Sequence, residues 1–90
     1  MNKLDYYRRS IDKIDKKIVR LFLLRFKLIE QITKYKKTNK IKIFNKAREL
    51  QVLKNIEKYS KRHQKFVVMI FKNTIDYSKK FQNNAKTKSS

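Results

Sequence analysis

Two cationic side chains mark the part of this sequence that is best suited to hold a ligand. Arg25 occupies a position in a repeating apolar pattern where a hydrophobic residue is expected, and Lys36 follows eleven residues later. At about 100° per residue in a helix, this separation is three turns plus roughly 20°, so both cations share one face. A buried guanidinium needs an anionic partner. Arg25 is equally compatible with a polar residue that fixes the register between paired helices, or with a side chain that extends to reach water.

Two polar side chains near the end of the chain suggest hydrogen bonding to the same kind of ligand. Ser78 and Gln82 are four residues apart, so they project from one helix face, where the stripe would otherwise continue apolar. As a pair they are able to hydrogen-bond a ligand. The alternative is that the helix leaves the core at this point, and for these two residues alone that is the simpler interpretation.

Three further charged residues have ordinary explanations. Arg48 and Glu49 open a second predicted helix, where Glu49 gains from the helix N-terminus. Arg8 is placed to pair with Asp12 one helical turn away. Surface pairing therefore explains all of them. Arg8 also lies well off the face that carries the first two cations, so it can converge with them only from a second, crossing chain.

A heptad pattern in the first part of the chain predicts one very long helix. Apolar residues recur at alternating steps of three and four through more than four heptads. This seam consists of Leu4, Tyr7, Ile11, Ile14, Ile18, Leu21, Arg25, Leu28, Ile32 and Tyr35. A helix of about thirty-five residues is roughly 50 Å long, whereas a compact chain of this size has a radius of gyration of about 12 Å. We therefore expect a second chain to cover the overhang.

Two shorter helices are predicted after a connecting loop. The loop is residues 37–44, which are polar except for Ile41, Ile43 and Phe44. Asn45, which follows it, suits a helix N-cap. The second helix ends near residues 60–64, where the third begins. Because Gly and Pro are both absent, we expect no tight turn that requires positive φ. We divide the chain into a domain, residues 1–83, and a polar, disordered tail, residues 84–90.

The composition excludes several kinds of chemistry. There is no Cys, and the single His63 cannot form a metal cluster or a His-based triad. No apolar stretch is long enough to span a bilayer, and no leader-like segment opens the chain, so we expect a cytoplasmic protein. The formal net charge of +19 suggests an anionic partner, above all nucleic acid. Since the basic residues are spread along the whole chain, solvated surfaces explain most of this charge.

The sequence resembles the all-helical, AroQ-class chorismate mutases from Leu4 to Gln82. Five segments carry the resemblance: residues 8–15 (RRSIDKID), 24–25 (LR), 35–36 (YK), 47–49 (ARE) and 75–82 (IDYSKKFQ). Each segment alone is weak, and together, in this order and spacing, they are specific. The resemblance implies an all-α fold in which each chain contributes one very long and two shorter helices to an intertwined homodimer.

The same resemblance implies which residues bind the substrate. Arg25, Arg48 and the Arg8 of the second chain resemble the arginines that hold the two carboxylates of chorismate. Ser78 resembles an added carboxylate contact. Arg8 would thus serve its partner's site, which fits its place off the face of the other cations.

The remaining site residues are also implied by the resemblance. Lys36 and Gln82 resemble the donors to the ether oxygen, and Glu49 resembles the acceptor from the ring hydroxyl. The backbone amide near Asn45 is implied to meet the same hydroxyl. Family members often have Asp at this position, so the role of the Asn45 side chain is open.

The implied activity is the rearrangement of chorismate to prephenate in phenylalanine and tyrosine biosynthesis. One C–O bond breaks as a C–C bond forms within one molecule, so the reaction needs no nucleophile, and no cofactor or metal is implied. The enzyme has to hold a compact conformer and to stabilise negative charge on the ether oxygen. Two rivals remain: a basic helical nucleic-acid-binding protein, and a purely structural coiled-coil dimer that leaves Arg25, Ser78 and Gln82 without a role.

Overall fold

The protein folds into three helices. The computed structural model describes residues 2–88, with side chains for residues 2–83, and this part of the chain contains no strand. The helices are α1 (Lys3–Thr38), α2 (Lys46–Tyr59) and α3 (Gln64–Lys88). The prediction of one very long and two shorter helices is confirmed in number and order, and the bounds of the first two helices are close to those expected. The long axis of the chain is 57 Å and its radius of gyration is 16.8 Å, well above the roughly 12 Å of a compact chain this size.

The end of α1 corrects one expectation from the sequence. Lys40 has a φ of 54°, although the absence of Gly predicted no turn with positive φ. The backbone amide of Ile41 donates to the carbonyl of Lys36 at 2.7 Å, and that of Lys40 donates to Lys37 at 3.3 Å. These two bonds satisfy carbonyls that the helix end leaves open. They offset the roughly 1–2 kcal/mol that a left-handed conformation costs a residue with a Cβ. His63, between α2 and α3, has a φ of 56°.

Helix α3 packs against both other helices. The Phe22 ring lies 6.5 Å from Phe71, and the Phe26 ring lies 5.4 Å from Tyr77 and 4.8 Å from Phe81. These contacts join the C-terminal half of α1 to α3. Within the described residues, α1 and α2 make no backbone contact with each other. These contacts leave a gap between α1 and α2, and α3 forms the floor of that gap.

The apolar seam of α1 is open to solvent in the single chain. Apart from Arg25, the members of the seam are apolar, and these residues are 44 to 64 % exposed. They are Leu4, Tyr7, Ile11, Ile14, Ile18, Leu21, Leu28, Ile32 and Tyr35. Among the described hydrophobic residues, only Ile43 and Ile75 are buried, at 8 and 9 % exposure. One chain by itself therefore has almost no closed core.

The C-terminal helix runs past the predicted domain boundary. Helix α3 extends to Lys88, five residues beyond the boundary drawn at 83, and residues 89–90 lie outside the described chain. The division into a domain and a disordered tail stays a prediction. Between residues 2 and 88, no helix has both the length and the apolar character that crossing a membrane requires.

The ring cluster between α1 and α3 predicts a measurable loss of stability. Phe26→Ala removes contacts to two rings, and because Phe26 is half-buried we expect a loss of about 2 kcal/mol, below the range for fully buried phenylalanines. Urea unfolding at a fixed protein concentration measures it. The neighbouring exposed residue supplies the control, Lys27→Ala, which should unfold like the wild type. Equal midpoints for the two variants would contradict this packing.

Candidate functional site

The gap between α1 and α2 forms a cavity of about 930 Å³. Arg25, Ile29 and Lys36 line it from α1, and Ile75 and Gln82 line it from α3. The segment from Ile43 to Val52, which includes the first turns of α2, closes the remaining side. All three helices therefore contribute to one concave site of the size that small ligands occupy.

Most of the residues singled out in the sequence meet in this cavity. Seven of them line it: Arg25, Lys36, Asn45, Arg48, Glu49, Ser78 and Gln82. Arg8 does not line it. Seventeen residues separate Arg8 from Arg25 along α1, which corresponds to about 25 Å. In its own chain, Arg8 is too far away to reach a ligand in this cavity. The expected ion pair of Arg8 with Asp12 is not formed within the described residues.

Ser78 and Gln82 do not mark the place where α3 leaves the core. Ser78 and Gln82 are 6 and 7 % exposed and are among the most buried residues of the described chain. The alternative that the helix leaves the core at these residues is therefore wrong. The Ser78 hydroxyl donates to the Thr74 carbonyl at 3.0 Å. Within residues 2–83, no hydrogen bond occupies the Gln82 amide. Every buried side-chain nitrogen and oxygen in this range has a partner, so the unpaired Gln82 amide reaches the surface of the cavity, where it can hydrogen-bond a ligand.

The two arginines of the cavity make it strongly electropositive. Partial burial, and secondarily the positive charge of Arg48, lower the pKa of the Arg25 guanidinium below its usual value. Within the described residues, no carboxylate pairs with Arg25, and Arg48 donates to the Gln51 side chain at 3.0 Å. Two like charges that repel each other in a cavity favour an anionic ligand, because its charge relieves the repulsion.

Lys36 is held in place by the loop that follows its own helix. Its Nζ donates to the Ile43 carbonyl at 2.8 Å. An ammonium group has three protons, so this bond orients the side chain and leaves donors for a ligand. Because Ile43 is one of the two buried hydrophobic residues among those described, the carbonyl that holds Lys36 belongs to a well-anchored part of the loop.

Asn45 has a structural role that the sequence also predicted. It is the N-cap of α2, and its side-chain oxygen accepts from the Arg48 backbone amide at 3.0 Å. This bond satisfies one of the free amides at the start of the helix. The cap also fixes where α2 begins, and therefore where Arg48 and Glu49 lie relative to the cavity.

Two lysines of the cavity were not foreseen. Among the described lining residues the cations are Arg25, Lys36, Arg48, Lys54 and Lys79, and Glu49 is the single acid. Lys79 on α3 forms an ion pair with Glu49 on α2, with its Nζ 2.8 Å from Oε1. The sequence offers little signal for it, since lysines occur throughout the chain and the pair forms only through the packing of α3 on α2.

Comparison with known proteins identifies the family. The family model described as chorismate mutase type II matches residues 7–83, which include the whole cavity. The chain belongs to the chorismate mutase type II family. No curated protein and no solved structure gives a significant match.

As a chorismate mutase, this chain is an isomerase that converts chorismate to prephenate. The cavity suits that activity because chorismate is a dianion and four lining cations remain after Lys79 has paired with Glu49. The match gives no support to the nucleic-acid-binding alternative. Membership of an enzyme family also argues against a purely structural coiled coil.

The cap predicts how this chorismate mutase responds to substitution of Asn45. Asn45→Ala should lose about 1 kcal/mol of stability because the Arg48 amide loses its acceptor. Asn45→Asp keeps an acceptor and places negative charge at the helix N-terminus, so it should be at least as stable as the wild type. Urea unfolding of the three proteins at one concentration is the measurement. An alanine variant as stable as the wild type would show that the cap contributes nothing.

Proposed function

We propose that the cavity between α1 and α2 is the place where chorismate rearranges, and that the residues lining it hold the reactive conformer. The observation that carries this proposal is the convergence of seven predicted site residues from three helices on one cavity. The reaction is unimolecular, so positioning and electrostatics are the contributions open to the protein. Well-oriented reactants gain up to roughly 7–11 kcal/mol from positioning in favourable cases.

In this proposal, Arg25 and Arg48 bind the substrate carboxylates. Both guanidinium groups line the cavity, and a planar fork of donors holds a carboxylate in a fixed orientation. Ser78 adds a contact when its hydroxyl turns from the Thr74 carbonyl toward the ligand. The lowered pKa of Arg25 supports this assignment, because its largest cause is partial burial, which a bound carboxylate would compensate.

Lys36 and Gln82 are proposed to act on the ether oxygen. Negative charge grows there as the C–O bond lengthens, so donors aimed at it stabilise the transition state more than the ground state. Lys36 is held by the Ile43 carbonyl, and Gln82 is buried in the cavity wall. Glu49 accepts from the ring hydroxyl, with the backbone near Asn45 beside it.

We further propose that two chains form an intertwined homodimer in which each Arg8 completes the partner's site. The open seam along α1 supports this, because nine apolar side chains at 44 to 64 % exposure form an extended apolar surface. The distance from Arg8 to the cavity of its own chain supports the exchange between chains.

The proposed setting of this activity is phenylalanine and tyrosine biosynthesis in the cytoplasm, with no cofactor or metal. Prephenate is a precursor of both amino acids in the pathway that the resemblance implies. The rearrangement consumes no second substrate, and the proposed roles of the lining residues account for it without a redox or hydrolytic step.

The ether-oxygen assignment predicts a specific loss of turnover. Lys36→Ala and Gln82→Ala should each lower kcat about 100- to 1,000-fold, as loss of a transition-state donor does elsewhere. Loss of chorismate after addition of purified protein measures the rate, and thermal unfolding measures stability, which should fall much less.

The neighbouring lysine provides the control for that experiment. Lys37→Ala removes the same charge one residue further on, outside the cavity, and should keep wild-type turnover. Wild-type turnover in either Lys36→Ala or Gln82→Ala would disprove that residue's assignment. A wild-type protein that does not accelerate loss of chorismate would disprove the function itself.

The shared site predicts complementation between inactive chains. Arg8→Ala and Arg25→Ala homodimers should both be inactive. Mixed heterodimers have one site with both arginines, so random exchange should restore about a quarter of wild-type activity. Activity is measured after subunit exchange has been demonstrated with differently labelled chains.

The control mixes two variants whose altered residues belong to the same site of the same chain. Arg25→Ala mixed with Arg48→Ala leaves every site without one arginine, so no activity should return. Failure of Arg8→Ala and Arg25→Ala to complement after proven exchange would argue against the action of Arg8 in its partner's site.

A further inference from the structure

The ion pair between Lys79 and Glu49 lies inside the cavity and has no role in the function proposed so far. Lys79 Nζ is 2.8 Å from Glu49 Oε1, and the two side chains are 39 and 22 % exposed. The same Nζ lies 5.8 Å from the centre of the Phe44 ring. All three side chains line the cavity. The pair therefore ties α3 to the first turn of α2 at the ligand site.

This geometry assigns different surroundings to the two oxygens of Glu49. Oε1 accepts from Lys79, and within the described residues no ion pair or hydrogen bond occupies Oε2. A carboxylate has lone pairs on both oxygens. One oxygen is therefore held by the protein while the other can accept from a substrate hydroxyl.

The Phe44 ring restricts where the lysine can go. A flexible ammonium group on the surface gains little from one exposed ion pair. Here the cation also lies over an aromatic face, a contact that is attractive in its own right. The hydrogen bond to Glu49 raises the pKa of Lys79 above its usual value, which favours the charged form that the ion pair requires.

We propose that Lys79 is a positioning residue that fixes the Glu49 carboxylate, so that one chosen oxygen faces the ring hydroxyl of chorismate. This inference rests on the proposed function of the cavity and on the role of Glu49 in it. Lys79 also neutralises Glu49, which would otherwise repel the substrate's carboxylates. It acts through Glu49 and needs no contact with the reacting atoms.

The test is a double-mutant cycle on steady-state turnover of chorismate. Lys79→Met keeps much of the side-chain length and removes the charge, and Glu49→Gln removes the charge that Lys79 holds. Lys79→Met should lower kcat/KM about five- to tenfold, and Glu49→Gln should lower kcat/KM by a larger factor. In the Glu49→Gln background, Lys79→Met should have almost no further effect, because interacting residues are not additive.

Two further variants separate positioning from general effects of charge and folding. Lys79→Arg can still reach Glu49 and should recover most of the activity. Lys80→Met removes the same charge from the next residue of α3, which is exposed and does not line the cavity, and should match the wild type. Circular dichroism and thermal unfolding show that each variant is folded.

The outcomes distinguish this inference from the function it rests on. If the wild type is active and Lys79→Met has the same activity, the positioning role is wrong and the proposed function stands. The same conclusion follows if Lys79→Met lowers activity by the same factor in the wild-type and Glu49→Gln backgrounds. If Glu49→Gln retains full activity, the role of Glu49 and this inference both fail. If the wild type does not convert chorismate, the proposed function fails as well.

Discussion

The packing of α3 against both other helices is the constraint on which the rest of the structure depends. Its aromatic contacts with Phe22 and Phe26 set the position of α1, and its ion pair from Lys79 to Glu49 joins it to α2. Since the backbones of α1 and α2 make no contact within the described residues, the packing of α3 on both helices sets the gap between them, together with the loop that is bonded to Lys36. The cavity is that gap, so the geometry of the site follows from how α3 is buried.

The charge in the cavity has an energetic cost that a ligand can remove. Arg25 is partly buried near Arg48 and has no carboxylate partner in the described chain. A protein selected only for stability would replace such a pair, whereas an enzyme for a dianion benefits from it. In the function proposed for this cavity, the repulsion works as preorganisation, because the donors already occupy the places assigned to the substrate carboxylates.

Local patterns predicted the helices well because helices are local structures. The heptad seam gave α1, and the capping preference of Asn45 gave the start of α2. The convergence of Arg25 with Lys36 followed from angular position on one helix, the four-residue spacing paired Ser78 with Gln82, and the family resemblance gave Arg48 and Glu49 their expected place in the site. The Lys79 ion pair was missed because it depends on the contact between two helices. The positive φ of Lys40 was missed because its cost is offset by hydrogen bonds that composition does not reveal.

The turn after α1 has a consequence for how this protein can change over evolution. Exposed loops usually tolerate insertions and deletions. Here the chain reverses at Lys40 and returns within a few residues, so that the Ile43 carbonyl meets the Lys36 ammonium. One residue more or fewer in that turn would carry the carbonyl away from the ammonium, or would bring a different carbonyl to it. The length of this exposed turn is thereby restricted by the position of Lys36, a residue that lines the cavity.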